Sequence, residues 1–248
     1  MLRIITLLSV LTVATPAIAG PFDDLSDADQ SALRDEIRGY ILENPEIIAE
    51  ALRLLEERQQ EAQERADQQL VAANIEALTD AESSFVAGNP DGDITIVEFL
   101  DYQCSFCKRA HPEVVELLAQ DGNIRLIQKE FPILGPMSEI ASRNAISVLL
   151  DQGPELYGIF SDALLRHQGQ LNETVIARLA EASGVDVAKM QALARSNQVT
   201  QIIQRNHLLA RALQITGTPT FVFGDQMVRG YLPLAQMQSV ISEQRSEM

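Results

Sequence analysis

Between Leu33 and Leu55 the apolar side chains of this sequence recur at helical spacing, whereas between Ile94 and Leu100 they run almost without a break. The first stretch sets Leu33, Ile37, Tyr40 and Ile41 on one helical face. After Asn44-Pro45 comes a second set, Ile47, Ile48, Leu52 and Leu55. A proline at a first helical position, behind an asparagine that can cap, predicts that one helix stops and another starts there. From Glu56 to Gln69 the only apolar side chains are Ala62 and Ala66. A helix polar on all sides gains little from packing, so this segment reads as a polar helical stalk of limited stability. A short helical pair cannot bury its own apolar stripe well. Self-association through residues 22–55 is the expected remedy, and folding back onto the rest of the chain is the alternative.

The pattern changes near Ser84. "ITIVEFL" (94–100) is β-branched and nearly continuously apolar, as in a strand covered on both faces. Helix signals follow from Cys104 to Ala119, and "NIRLIQKEF" (123–131) predicts a second strand. Between Pro136 and Gly217 the period is helical, with Pro154 suited to a first turn, Asn172 to a cap and Gly184 to a helix end. "TPTFVFG" (218–224) predicts a strand, "QMVRG" (226–230) its hairpin partner and Leu234 to Gln244 a last helix. The order β, α, β, a helical block, β, β, α makes the fold class α/β, interrupted by a helical insertion at about 136–217. The domain organisation expected is a leader (1–19), a helical arm and stalk (20–79) and an α/β domain (80–248). No repeat is visible.

The leader rests on "MLRIITLLSVLTVATPAIAG". Arg3 is its positive end, Ile4 to Val13 its apolar run, and Ala17-Ile18-Ala19 a small-x-small cleavage pattern. The run is shorter than the roughly 20 residues a membrane span needs, so the reading is export rather than anchoring. The chain carries 19 basic and 35 acidic side chains, a net charge of −16. Such a charge repels phosphate backbones and excludes nucleic acid as a natural partner.

Export changes the meaning of the cysteines. The chain has two, Cys104 and Cys107, in "VEFLDYQCSFCKRAHPEV" (97–114). Structural disulfides in oxidising compartments usually bridge distant segments, and a loop this small yields only about 2 kcal/mol. Cys-x-x-Cys opening a helix after a buried strand points instead to redox chemistry. Free N–H groups and the helix dipole favour a thiolate at Cys104. Cys107, one turn deeper, is placed to release a mixed disulfide. Cys104 is thus the expected nucleophile and Cys107 the resolving thiol of a redox-active pair. Metal binding is the competing chemistry: Cys107 and His111 share a helix face, and two thiolates at Cys104 and Cys107 suit copper(I). No fourth ligand for a closed zinc site is evident.

Glu98 stands alone among apolar neighbours in the predicted strand. Burial would raise its pKa and fit it to exchange a proton with Cys107; a solvent-facing position is the alternative. Thr218-Pro219 enters another strand, where a proline withholds a backbone donor and leaves neighbouring groups free for an extended peptide.

"DYQCSFCKRAHPEV", "KEFPILGP" and "GTPTFVFG" resemble the DsbA family of periplasmic thiol-disulfide oxidoreductases, over roughly residues 84–246. The resemblance implies a thioredoxin-like fold with an inserted helical domain, a cis Pro219 facing Cys104 and Cys107, and Glu98 as a buried acid. It implies substrate contacts at Thr218, Pro219, Ser105 and Phe106. Ser105-Phe106 replaces the Pro-His of the strongest oxidases, and Thr218 is more like the isomerase relatives. "IRGYILENPEIIAEALRLLEERQQ" resembles the N-terminal arm of ScsC-type proteins (suppressor of copper sensitivity), some of which are trimers that act as isomerases. The expectation is a periplasmic protein disulfide isomerase without a cofactor, a homo-oligomer and by resemblance a trimer. It would act on misoxidised secreted proteins and be kept reduced by a membrane-bound thiol reductant. A DsbA-type dithiol oxidase and a copper(I)-binding chaperone are the rivals.

Overall fold

The computed structural model describes residues 26–247; the expected leader, its cleavage site and residues 20–25 lie outside the described residues. The chain divides into two compact units, one ending at Gln59 and one starting at Gln60.

The first unit holds α1 (Asp27–Glu43) and the start of α2 (Glu46–Thr79). Ser26 caps α1, its hydroxyl accepting from Asp29 N–H. Asn44 does not cap the second helix as its position suggests. Its backbone N–H and its side-chain amide both donate to Tyr40 O, at 3.0 and 2.9 Å, so it closes α1 instead. α1 buries none of its residues. Ile37, Tyr40, Ile48, Leu52 and Leu55 are all about half exposed or more, so both predicted apolar faces stand open.

The second unit is built on a sheet of five strands among the described residues: β1 (Phe85–Gly88), β2 (Ile94–Leu100), β3 (Ile124–Glu130), β4 (Thr220–Phe223) and β5 (Gln226–Arg229). Their order is β1-β3-β2-β4-β5. β2 and β3 are parallel, joined by α3 (Ser105–Asp121); the other pairs are antiparallel. α3 ends at Gly122, whose φ of 70° closes the helix in the left-handed region open to glycine. Five helices, α4 (Pro136–Gln152), α5 (Pro154–Arg166), α6 (Glu173–Ala182), α7 (Val187–Ala194) and α8 (Asn197–Ala212), form the insertion, and α9 (Leu234–Glu247) closes the chain. Asn172, Asp186 and Ser196 cap three of them through their side chains.

Alternation along the strands divides the core. Val97, Phe99, Ile127 and Val222 point to one face, where Val71 and Leu78 of α2 and Leu209 of α8 cover them. Ile94, Ile96, Leu126, Phe221 and Phe223 point to the other, under α3 and α9. By the same period of two, Glu98, Gln128 and Glu130 face the α3 side. A third cluster joins Leu100, Tyr102, Cys104 and Cys107 to Tyr157, Phe160 and Leu164 of the insertion.

Two features differ from the sequence pattern. β1 was hidden in a short stretch with no clear alternation; it pairs with β3, and Phe85 packs on Tyr157 with centroids 4.7 Å apart. α2 does not stay polar and solvated to its end. Asp67 is buried against Arg229, and Val71 and Leu78 enter the core. Leu78→Ala is therefore expected to lower stability by about 2–5 kcal/mol, read from urea unfolding. A loss under about 0.5 kcal/mol would show that this turn of α2 is not core.

Candidate active site

The geometry at Cys104 starts with a carboxylate that sequence reasoning passed over. Asp101, just past β2, is fully buried. One oxygen accepts Gln103 N–H at 2.8 Å, and the other accepts Ile133 and Leu134 N–H at 2.8 and 3.0 Å. Its backbone oxygen accepts Cys104 N–H at 3.0 Å. Three backbone donors on one side chain fix the turn that delivers Cys104 to the N-cap of α3. An Asp two residues before a turn's N–H is the signal that could have found it.

Cys104 Sγ accepts from Cys107 N–H at 3.4 Å and lies 3.0 Å from Thr218 O. The Thr218-Pro219 bond is cis. Pro219 O accepts Gly230 N–H at 2.8 Å, which ties this loop to the end of the β5 hairpin. Cys104, Cys107, Thr218 and Pro219 are thus brought together. Ser105 and Phe106 stand exposed beside them, Phe106 at 54%.

The two thiols are driven in opposite directions. Cys104 is held down at about 6, first by the hydrogen bond from Cys107, then by the Thr218 side chain and the N–H groups of Cys107 and Phe106, against the penalty of its partial burial. Cys107 is pushed far above the ordinary thiol range, first by burial, then by its hydrogen bond to Cys104 and the charges of Cys104 and Glu98. One proton is shared with the deeper sulfur, and the negative charge sits on the outer one. Thr218 Oγ1 is buried with no other partner, which leaves its O–H for the charged sulfur.

Glu98 is 1% exposed, so the solvent-facing alternative does not occur. Burial pushes it up to about 7, while Gln128 Nε2, donating at 2.8 Å, opposes the shift. Register places Gln128 directly opposite it on β3. Its charge reaches Cys107.

A second buried acid went unrecognised. Glu130 Oε1 accepts Tyr102 and Tyr157 O–H at 2.6 and 2.7 Å, and Oε2 accepts Ser142 O–H at 2.6 Å. Burial raises it to about 7. It joins the loop before Cys104 to α4 and α5 of the insertion. Its sequence signal was only a charge at the end of an apolar strand, the same kind as that of Glu98. His111, considered as a third metal ligand, has its Nε2 on Asp162 at 2.7 Å instead. Among the described residues no group of three or more His, Cys, Asp or Glu could hold a metal ion.

The arrangement can perform thiol–disulfide exchange: an ionised outer sulfur for attack, a protonated inner sulfur for release and a buried carboxyl whose charge the inner sulfur feels. Thr218→Val removes the unpartnered hydroxyl and should raise the Cys104 midpoint by about one pH unit, the scale of one hydrogen bond to a charged group. Carboxamidomethylation rate against pH reads it, and an unmoved midpoint rules that donor out. Glu98 folds more readily as the neutral acid. Its stabilising contribution is whole below its ordinary 4.5 and is lost as pH rises through about 7. Glu98→Gln should therefore stabilise the oxidised protein at pH 8 by about 3 kcal/mol and reduce the fall between those pH values by about half, Glu130 supplying the remainder. Urea unfolding at several pH values measures this, and an unchanged slope contradicts it.

The sequence profile described as Thioredoxin matches residues 80–243, and one described as Copper resistance protein ScsC N-terminal domain matches residues 29–62. A thioredoxin-like oxidoreductase from Silicibacter pomeroyi DSS-3 is 37% identical with a TM-score of 0.66, over 69% of this chain and 97% of that one. Proteus mirabilis ScsC in a transitional conformation is 27% identical with a TM-score of 0.67, over 90% of this chain and 100% of that one. The Na(+)/H(+) antiporter NhaA 1 of Salinispora arenicola is 26% identical over 165 residues, 66% of this chain, of which this chain spans only 25%. Family profile, sheet order and dithiol site agree, and the chain belongs to the thioredoxin family.

Proposed function

We propose that this thiol–disulfide oxidoreductase is an exported disulfide isomerase that works as an oligomer held by its amino-terminal arm. The observation that carries this reading is the open apolar surface of α1 and the start of α2, with Ile37, Tyr40, Leu52 and Leu55 each half exposed or more. Helices in proteins draw most of their stability from packing an apolar face, and a partner copy offers the burial these lack. Several dithiol sites held together would meet one misoxidised client repeatedly, which raises effective concentration without new contacts. The match of residues 29–62 to the ScsC amino-terminal profile supports the same role, and the leader pattern supports a periplasmic location.

The cycle follows from the two thiols. The Cys104 thiolate attacks one sulfur of a client disulfide; that S–S bond breaks, a mixed disulfide forms and a client thiolate is freed. The freed thiolate can attack another client disulfide, which reshuffles the pairing. Otherwise Cys107 gives its proton to Glu98 and attacks Cys104, releasing the client reduced and leaving the Cys104–Cys107 disulfide. A membrane-bound thiol reductant must then restore the dithiol. Thr218, ahead of the cis Pro219, offers its backbone to the client, Phe106 an apolar contact and Ser105 a polar one. Ser105-Phe106 puts no imidazole beside Cys104, which favours isomerase over strong oxidase chemistry. Copper(I) binding by the two thiols is the second reading, prompted by the words copper resistance in the description of the profile that matches residues 29–62.

The deciding experiment refolds a scrambled multi-disulfide substrate and measures mass by sedimentation. Full-length protein should sediment as an oligomer and recover substrate activity. A chain lacking residues 20–59 should be monomeric and at least about tenfold less active. A monomeric full-length chain overturns the oligomer reading; thiol consumption without recovered activity favours the oxidase, and stoichiometric copper(I) binding without turnover the chaperone.

A further inference from the structure

The surface beside the dithiol carries a cation that the exchange chemistry does not use. Phe106 and Arg109 stand three residues apart on α3 and so share a face. The Arg109 guanidinium carbon lies 4.2 Å from the centroid of the Tyr231 ring. Tyr231 follows Gly230, whose N–H donates to Pro219 O, and Thr218 O lies on Cys104 Sγ. Cys104, Thr218-Pro219, Gly230-Tyr231 and Arg109 therefore form a closed circuit of contacts, with exposed Phe106 on its rim.

Arg109 is exposed and, among the described residues, pairs with no carboxylate. Glu113, one turn on, spends both oxygens on Tyr231 O–H and Leu234 N–H. Lys108 adds a second cation on the same turn of α3, its Nζ donating to His167 O at 2.9 Å. Lys108 and Arg109 are adjacent cations in a chain whose net charge is −16. The molecule as a whole attracts basic polypeptides, while an exposed arginine without an ion-pair partner offers a local contact to an acidic group.

We infer that Arg109, steadied on Tyr231, is a specificity-determining residue that selects extended client segments with an acidic side chain close to the reacting cysteine. The inference rests on the thiol-exchange reading above and names the substrate class of the same site. Tyr231 holds the guanidinium in place at little entropic cost, and Phe106 takes the apolar flank of the segment.

Three single-cysteine peptides test it, alike except for Glu, Gln or Lys beside the cysteine, each capped as a mixed disulfide with a coloured aromatic thiol. The Cys104 thiolate attacks the peptide sulfur, the peptide–aryl S–S bond breaks and the aromatic thiolate leaves. Cys107 then displaces the peptide thiolate. The dithiol is oxidised by two electrons, and the mixed disulfide is reduced by two. Rates are divided by those with glutathione, which removes the effect of each peptide on its own sulfur. With wild-type, full-length protein at low ionic strength the Glu peptide should react about threefold faster than the Lys peptide, the scale of an exposed ion pair, and added salt should erase the difference. Arg109→Glu should reverse the order, and Arg109→Lys should keep it. A faster Lys peptide with the wild-type protein, or an order unchanged in Arg109→Glu, overturns the inference. The Gln peptide separates the two levels: if it reacts no faster than with glutathione, the thiol-exchange reading itself falls and takes this one with it.

Discussion

The N–H groups at the start of α3 and the thiol of Cys107 converge on one sulfur, and most of the site exists to keep that convergence in place. Asp101 anchors the turn before it through three backbone donors. Thr218 and Pro219 close over it from the turn that enters the neighbouring strand, β4. No cation is needed to ionise Cys104, because aligned peptide groups and a neighbouring S–H do that work at short range. The same contact explains Cys107. A thiol that donates to a thiolate, in a buried site and close to a carboxyl, keeps its proton.

The buried acids fit the same logic. Glu98 and Glu130 both reside on strand faces that turn toward α3, and neither has a cationic partner among the hydrogen bonds that hold it. Each is raised to about 7 by burial. Glu98 stands close enough to Cys107 to exchange charge effects with it, which suits it to receive the proton that resolution releases. Glu130 has a different use. Two tyrosines and a serine meet on it, and Tyr102 lies two residues before Cys104. It ties the helical insertion to the loop that carries Cys104.

Much of this was legible in the chain. The unbroken apolar run at 94–100 and the helical period after Pro136 carried the fold class, and the Cys-x-x-Cys marked the dithiol. Glu98 was visible because a lone charge in an apolar strand has few structural explanations. What escaped has physical reasons. β1 is four residues long and half buried, too short for a period to show. Asp67 looked solvated because its partner, Arg229, lies 162 positions away in sequence, and only the fold brings them together. Asp101 acts through backbone donors; its link to Gln103 N–H is local, but those from Ile133 and Leu134 come from 32 and 33 residues away. Asn44 was read as the cap of the helix that follows, yet its amide turns back to Tyr40. Local rules give the residue type at a helix boundary better than the direction in which its side chain turns.

The most direct test is the ionisation of Cys104 itself. The ultraviolet absorbance of the thiolate is followed against pH in the reduced protein, and that of Cys104→Ser is subtracted from it. The account predicts a single thiolate appearing with a midpoint near 6, with Cys107 silent across the same range. A midpoint near the value of free cysteine, about 8.5, would contradict it.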